Sequence, residues 1–142
     1  MTRDTAMTIE HKGKGAIVTG GGDGIGRAIS LTLAREGAAV AIADINRISA
    51  EKTVREIIDR GGRALAIETD VTDKNAVDSM SQEVLESFGS IDILVNNAGV
   101  QHVSPLVDFP EAEWNRLIGV ILTGNFFCTQ AALRSMILRR QG

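Results

Sequence analysis

The apolar run Ala16-Ile17-Val18 passes directly into Thr19-Gly20-Gly21-Gly22-Asp23-Gly24-Ile25-Gly26, and a helical pattern begins where that turn ends. A short, continuous apolar segment bounded by glycine reads as a buried strand. Ile25, Ala28, Ile29, Thr32 and Leu33 then recur at helical spacing, predicting an amphipathic helix that Gly37 ends. Strand, glycine turn and helix in succession point to an α/β layout, in which helices cover the faces of a sheet.

The alternation continues along the chain. Ala38 to Ala43 is a second apolar strand, ending at Asp44. A helix from about Arg47 to Arg60 is expected to turn Ala50, Val54, Ile57 and Ile58 inward and to stop at Gly61-Gly62. Ala64 to Ile67 reads as a third strand, followed by Thr69-Asp70-Val71. Thr72 is the expected cap of a third helix, with Ala76, Val77, Met80, Val84, Leu85 and Phe88 on one face and Gly89 at its end. Ile91 to Val95, interrupted only by Asp92, is a fourth strand that empties into Asn96-Asn97-Ala98-Gly99. Strands that are apolar throughout favour a parallel sheet covered on both faces. The expected fold is a Rossmann-like, doubly wound parallel α/β sheet of four strands followed by one long helix. That helix spans about Glu111 to Arg139 and is apolar on more than one face, with Gly124 expected to allow a bend or close packing.

Composition narrows the partners. At 142 residues, 44% hydrophobic and 23% charged, the chain is not a disordered one. A net charge of -3 gives no bulk electrostatic case for nucleic acid or an anionic membrane. One cysteine, Cys128, cannot form an internal disulfide, and with two histidines it makes a poor zinc site, so no metal is expected. No 18-residue uncharged run exists and Met1 to Lys14 lacks a signal-peptide core, so the expectation is a cytoplasmic protein without a membrane partner.

Ligands of open α/β sheets sit outside the carboxyl ends of the strands, where this chain gathers its unusual residues. Gly20 and Gly24 would let the turn approach a ligand backbone-first, and Gly26 would let helix and strand pack closely. The amides of the first helical turn would then face a pyrophosphate. Gly22, Asp23 and Ile25 belong to the same candidate site. Asp44 follows the turn at roughly the 20-residue offset of a carboxylate that accepts ribose hydroxyls, with Ile45 beside it. A carboxylate there repels a 2′-phosphate, and Asp23 adds negative charge, so NAD is expected in preference to NADP. Arg47 is the one nearby residue that argues otherwise. A plain tight turn at the glycines and an ordinary helix cap at Asp44 are the competing structural readings. The Lys-Ser/Thr of the nucleoside-triphosphate loop is absent, since Ile25 and Arg27 flank Gly26.

Taken together, Thr19 to Gly26, Asp44, Asp70-Val71 and Asn96-Asn97-Ala98-Gly99 resemble the short-chain dehydrogenase/reductase family. The resemblance covers essentially residues 12 to 142. It implies that Asp70 and Val71 hold an adenine ring, that Asn97 and Ala98 line the cofactor cleft, and that Gly99 lies near the nicotinamide-side ribose. It also implies an oxidoreductase moving hydride between a nicotinamide and an alcohol or carbonyl substrate, and a homo-oligomer paired through the 111–139 helix. The match reaches only the first half of the family's domain. The family's catalytic serine and Tyr-xxx-Lys have no counterpart here: the chain has no tyrosine, and no lysine follows the fourth strand. No catalytic residue is therefore assigned. Where the family commonly has asparagine in Val-Asn-Leu, this chain reads Val120-Ile121-Leu122, and isoleucine makes no side-chain hydrogen bond.

The expected organisation is a flexible arm over 1–12 and an incomplete NAD-binding domain over 13–142, without turnover of its own. A non-catalytic short product that binds NAD and associates with a full-length relative is the alternative. A methyltransferase, which also uses a glycine turn and an acid after the second strand, is a further one. Asn96 to Gly99 weighs against it.

Overall fold

A computed structural model describes residues 10–142. Four parallel strands stand in the order β3-β2-β1-β4: β1 is Gly15–Thr19, β2 Ala39–Asp44, β3 Arg63–Glu68 and β4 Ile93–Val95. Between them run α1 (Gly24–Arg35), α2 (Arg47–Asp59) and α3 (Lys74–Phe88). A short 3₁₀ turn at Leu106–Asp108 precedes α4 (Glu111–Ile118), which continues through a π-helical stretch, Gly119–Gly124, into α5 (Asn125–Arg139). The part of the arm expected over residues 1–12 that precedes residue 10 lies outside the described residues. Residues 10–13 form a turn tied to the end of α1, where the His11 amide donates to the Glu36 carbonyl at 3.0 Å.

The strands alternate between two cores, as a sheet covered on both faces requires. Ala16, Val18, Val40 and Ile42 face α1 and α2, together with Ala50 and Ile57. Ile17, Ala41 and Ala43 face the other way, toward Val77, Met80 and Val84 of α3 and Cys128 and Ala131 of α5. All five residues of β1 are buried, which fits its central place in the sheet. Cys128 is 1% exposed, and burial pushes its thiol up to about 11, so it serves as core.

Four local expectations are corrected. α1 does not face the sheet through Ile25, Ala28 and Thr32, which are exposed; Ile25 is 75% exposed. Its buried face carries Gly26 and Ser30, and the Ser30 hydroxyl is satisfied by donating to the Gly26 carbonyl at 2.8 Å. On α2, Ile58 is exposed and Thr53 is buried in the face expected to be apolar. The cap of α3 is Asp73, whose Oδ1 accepts from the Asn75 amide at 2.8 Å. Thr72 is unavailable because its amide and hydroxyl both donate to Asp70. The β4 ladder begins at Ile93, one residue after Asp92, whose amide donates to the Gly15 carbonyl at 2.8 Å. Its carboxylate accepts from the Gly15 amide at 2.8 Å, the Ser90 hydroxyl at 2.6 Å and Arg139 at 2.6 Å.

Gly124 permits close packing: a Cβ there would lie 2.7 Å from Val71 Cγ2. The helical run Glu111–Arg139 is long and apolar enough to cross a membrane by length and composition alone. Much of its apolar surface is exposed, including Phe126, Ile137 and Leu138.

Candidate functional site

Parallel strands bring their carboxyl ends to one edge of the sheet, and there the four strand exits enclose a cleft of about 410 Å³. Gly20, Asp23 and Gly24 line it from the turn after β1. Asp44 and Ile45 line it from the end of β2, and Asp70 and Val71 from the segment after β3. Asn97, Ala98 and Gly99 contribute from the exit of β4, and Val120 closes the side formed by the long helix. Ten of the residues read from the sequence are thus brought together. Gly22, Ile25 and Gly26 do not line the cleft. Gly22 stands behind Asp44, the Ile25 side chain points to solvent, and Gly26 lies buried beneath the turn.

The turn holds its shape through β4. Gly20 has φ +63°, a left-handed conformation suited to glycine. The Asn97 side-chain amide donates to the Thr19 carbonyl at 3.0 Å and to the Gly20 carbonyl at 3.1 Å. Thr19, fully buried, returns the contact: its hydroxyl oxygen accepts from the amides of Asn97 and Ala98, each at 3.0 Å. Asn97 therefore acts on the floor of the cleft by bracing β1 against β4. Gly26 is packed so closely that a Cβ would lie 2.5 Å from Asn97 Nδ2 and 2.8 Å from the Gly20 carbonyl carbon. Helix α1 starts at Gly24 at the rim, so its first-turn amides, which lack helical acceptors, open where an anion would sit. Asp23 caps this helix, its Oδ1 accepting from the Gly24 amide at 2.7 Å.

Asp44 is oriented by backbone on both sides. Its Oδ2 accepts from the Gly22 amide at 2.9 Å and its Oδ1 from the Asn46 amide at 2.9 Å. Each oxygen retains acceptor capacity, and Asp44 lines the cleft. Arg47, the base that could have countered it, is paired with Glu51 at 2.9 Å on its own helix. The Asp70 carboxylate shapes the turn at Thr72 through its Oδ1.

Sequence reasoning passed over Ala43, Thr69, Val100 and Val120 among the lining residues. Thr69 and Val100 adjoin motif residues and were within reach of the strand-end rule. Val120 comes from a distant helix, and no local signal marks it. His102 sits in the loop beyond Val100, with Nδ1 3.6 Å from Glu113 and its ring edge-on to Phe109 at 5.2 Å. Glu113 in turn is held below the usual carboxylate range by its hydrogen bond from Arg116. These contacts anchor the loop to α4.

Comparison with known proteins agrees with this geometry. The family model described as short chain dehydrogenase matches residues 14–142. Sorbitol dehydrogenase from Cereibacter sphaeroides is 45% identical over 130 residues, which cover 92% of this chain and 50% of that protein. A crystal structure of NAD+-bound xylitol dehydrogenase superposes with a TM-score of 0.91 at 38% identity, covering 94% of this chain and 52% of that one. A short-chain type dehydrogenase/reductase from Mycobacterium marinum superposes with a TM-score of 0.91 at 36% identity, covering 95% and 55%. The chain belongs to the short-chain dehydrogenase family and spans about half the length of the relatives it matches. It carries that family's Rossmann-type dinucleotide-binding fold, which sets aside the methyltransferase reading.

Proposed function

We propose, from this family membership, that the cleft binds NAD in preference to NADP, as part of an oxidoreductase acting on an alcohol or carbonyl substrate. The observation that carries the reading is Asp44: a carboxylate at the end of β2, aligned by two backbone amides, on the wall of a cleft with a glycine turn beside it. Such a group accepts hydrogen bonds from ribose hydroxyls and repels a 2′-phosphate. Its would-be counter-charge, Arg47, pairs with Glu51 at 2.9 Å on the exposed surface of α2. The turn from Gly20 to Gly24 and the first-turn amides of α1, those of Ile25 and Gly26, would face the pyrophosphate. Asp70 and Val71 would flank the adenine, and Gly99 the nicotinamide-side ribose. When bound, the nicotinamide supplies the hydride donor or acceptor. No histidine, cysteine, lysine or tyrosine is among the residues that line the cleft, and the activity proposed for these residues is binding.

The same reading places a second copy of the chain against the 111–139 helix, where Phe126, Leu133 and Ile137 line an apolar groove of about 430 Å³.

Titration with NADH and NADPH, followed by nicotinamide fluorescence, tests the cofactor assignment. NADH is expected to bind more tightly. Asp44→Ala should weaken NADH by about tenfold, the scale of a lost hydrogen bond to a charged group, and should narrow the gap to NADPH. Equal NADH affinity in that variant would overturn the ribose assignment.

A further inference from the structure

A hydroxyl inside a helix ordinarily donates to the carbonyl one turn earlier. Ser30 and Thr32 of α1 do so, to Gly26 at 2.8 Å and Ala28 at 2.9 Å. Thr53, in the middle of α2 and 0% exposed, behaves differently: its Oγ1 donates out of the helix to the Gly22 carbonyl at 3.0 Å. Gly22 is thereby gripped on both sides. Its carbonyl is held by α2, and its amide donates to Asp44 Oδ2 at 2.9 Å. There is no room for it to shift toward the helix, because a Cβ on Gly22 would lie 2.9 Å from the Ala50 nitrogen and 2.9 Å from the Ser49 carbonyl carbon. The other oxygen of Asp44 accepts from Asn46, and Asn46 caps α2 by accepting from the Ser49 amide at 3.1 Å. The contacts close a ring: Thr53 to Gly22, Gly22 to Asp44, Asp44 to Asn46, and Asn46 through the first turns of α2 back to Thr53.

We infer that Thr53, which does not line the cleft, is a positioning residue that fixes the Asp44 carboxylate through Gly22 and so sets the chain's discrimination between dinucleotides with and without a 2′-phosphate. This rests on the assignment of Asp44 to the adenosine ribose. Without the Thr53 hydroxyl, the buried Gly22 carbonyl has lost its donor and the turn must rotate to find another. The Gly22 amide then leaves its line to Asp44, and one of the two bonds that aim the carboxylate is lost.

The test uses Thr53→Val, which keeps the shape and removes the donor, and Thr53→Ser, which keeps the donor. Each is titrated with NADH and NADPH as the full chain. Thr53→Val should weaken NADH five- to tenfold and change NADPH less than twofold, and Thr53→Ser should restore the wild-type preference. In an Asp44→Ala background, Thr53→Val should alter NADH affinity less than twofold, because its effect runs through Asp44. A lower melting temperature with an unchanged NADH-to-NADPH ratio would overturn the inference, as would an undiminished effect in the Asp44→Ala background. If the wild-type chain binds neither nucleotide, the cofactor assignment itself fails. Hydrogen exchange at the Gly22 amide then still tests the positioning: it should accelerate in Thr53→Val and not in Thr53→Ser, and equal rates would refute it. Thr53→Ala replaces Thr53→Val in every arm if the valine variant does not fold.

Discussion

The two helical layers meet the sheet in different ways. On the side of α1 and α2, an apolar core of Val18, Val40, Ile42, Ala50 and Ile57 is joined by two contacts that are backbone to backbone: Gly26 lies on the Gly20 carbonyl, and Gly22 lies on the first turn of α2. On the side of α3 and α5 the approach is through side chains such as Met80, Val84, Cys128 and Ala131. Side-chain packing can repack around a change, whereas an overlap of main chain with main chain has no rotamer to adjust. The glycine contacts of the first layer therefore fix the geometry of the cleft, and both layers supply apolar burial. Away from both, α5 turns Phe126, Ile137 and Leu138 to the outside, at 59%, 69% and 86% exposed, and there a residue is constrained chiefly by whatever covers it.

Substitutions that add, unpair or merely expose should separate these regimes. The largest effect is expected at Gly26→Val, whose Cβ overlaps the Gly20 carbonyl and crowds Asn97. It should cost about 3 kcal/mol in urea unfolding and abolish dinucleotide binding. A loss below 1 kcal/mol, on that same scale, would break the contrast between the layers.

Asp92→Asn comes next. Burial raises the Asp92 pKa, but the Ser90 hydroxyl, Arg139 and the Gly15 amide outweigh it and hold the carboxyl below its ordinary range. A depressed carboxylate stabilises the fold above its unfolded pKa of about 3.9, and the contribution fades as pH falls through the lower folded value. The variant should therefore lose about 2 kcal/mol at neutral pH and show a shallower loss of stability below about pH 4. Unfolding curves at both pH values check this, and parallel pH profiles would contradict it.

The smallest effect is expected at Ile137→Lys, within about 0.5 kcal/mol if that face stays bare. A larger, concentration-dependent loss, read together with sedimentation, would show that a second copy covers it.

The strands were legible because each is a continuous apolar run, and the strand-end rule then gathered most of the cleft without coordinates. The local failures share a cause. Thr53 carried no signal in the sequence, since hydropathy cannot show a hydroxyl whose acceptor lies 31 residues away. Ile25 looked like the start of an inward stripe, but a helix held to its strand by a glycine buries small residues at that contact and turns the larger one out. Thr72 and Asp73 are both good caps by type, and the choice between them was made by Asp70, which had engaged Thr72. Asp92 interrupted an apolar run without revealing that its partner, Arg139, closes the far end of α5.

The central strand also has a consequence for how the chain is made. β1 pairs on one side with β2 and on the other with β4, and Gly15 and Asp92, whose contact opens that second seam, are 77 positions apart. No hairpin links neighbours in this sheet, so no pairing can close locally. During synthesis the first strand to emerge waits with one flank unsatisfied until the fourth has left the ribosome. The glycine turn, anchored by Asn97, can take its final form only after that. For much of translation the one described strand that is buried at every residue is an open template, and a transiently exposed strand edge of this kind invites aggregation.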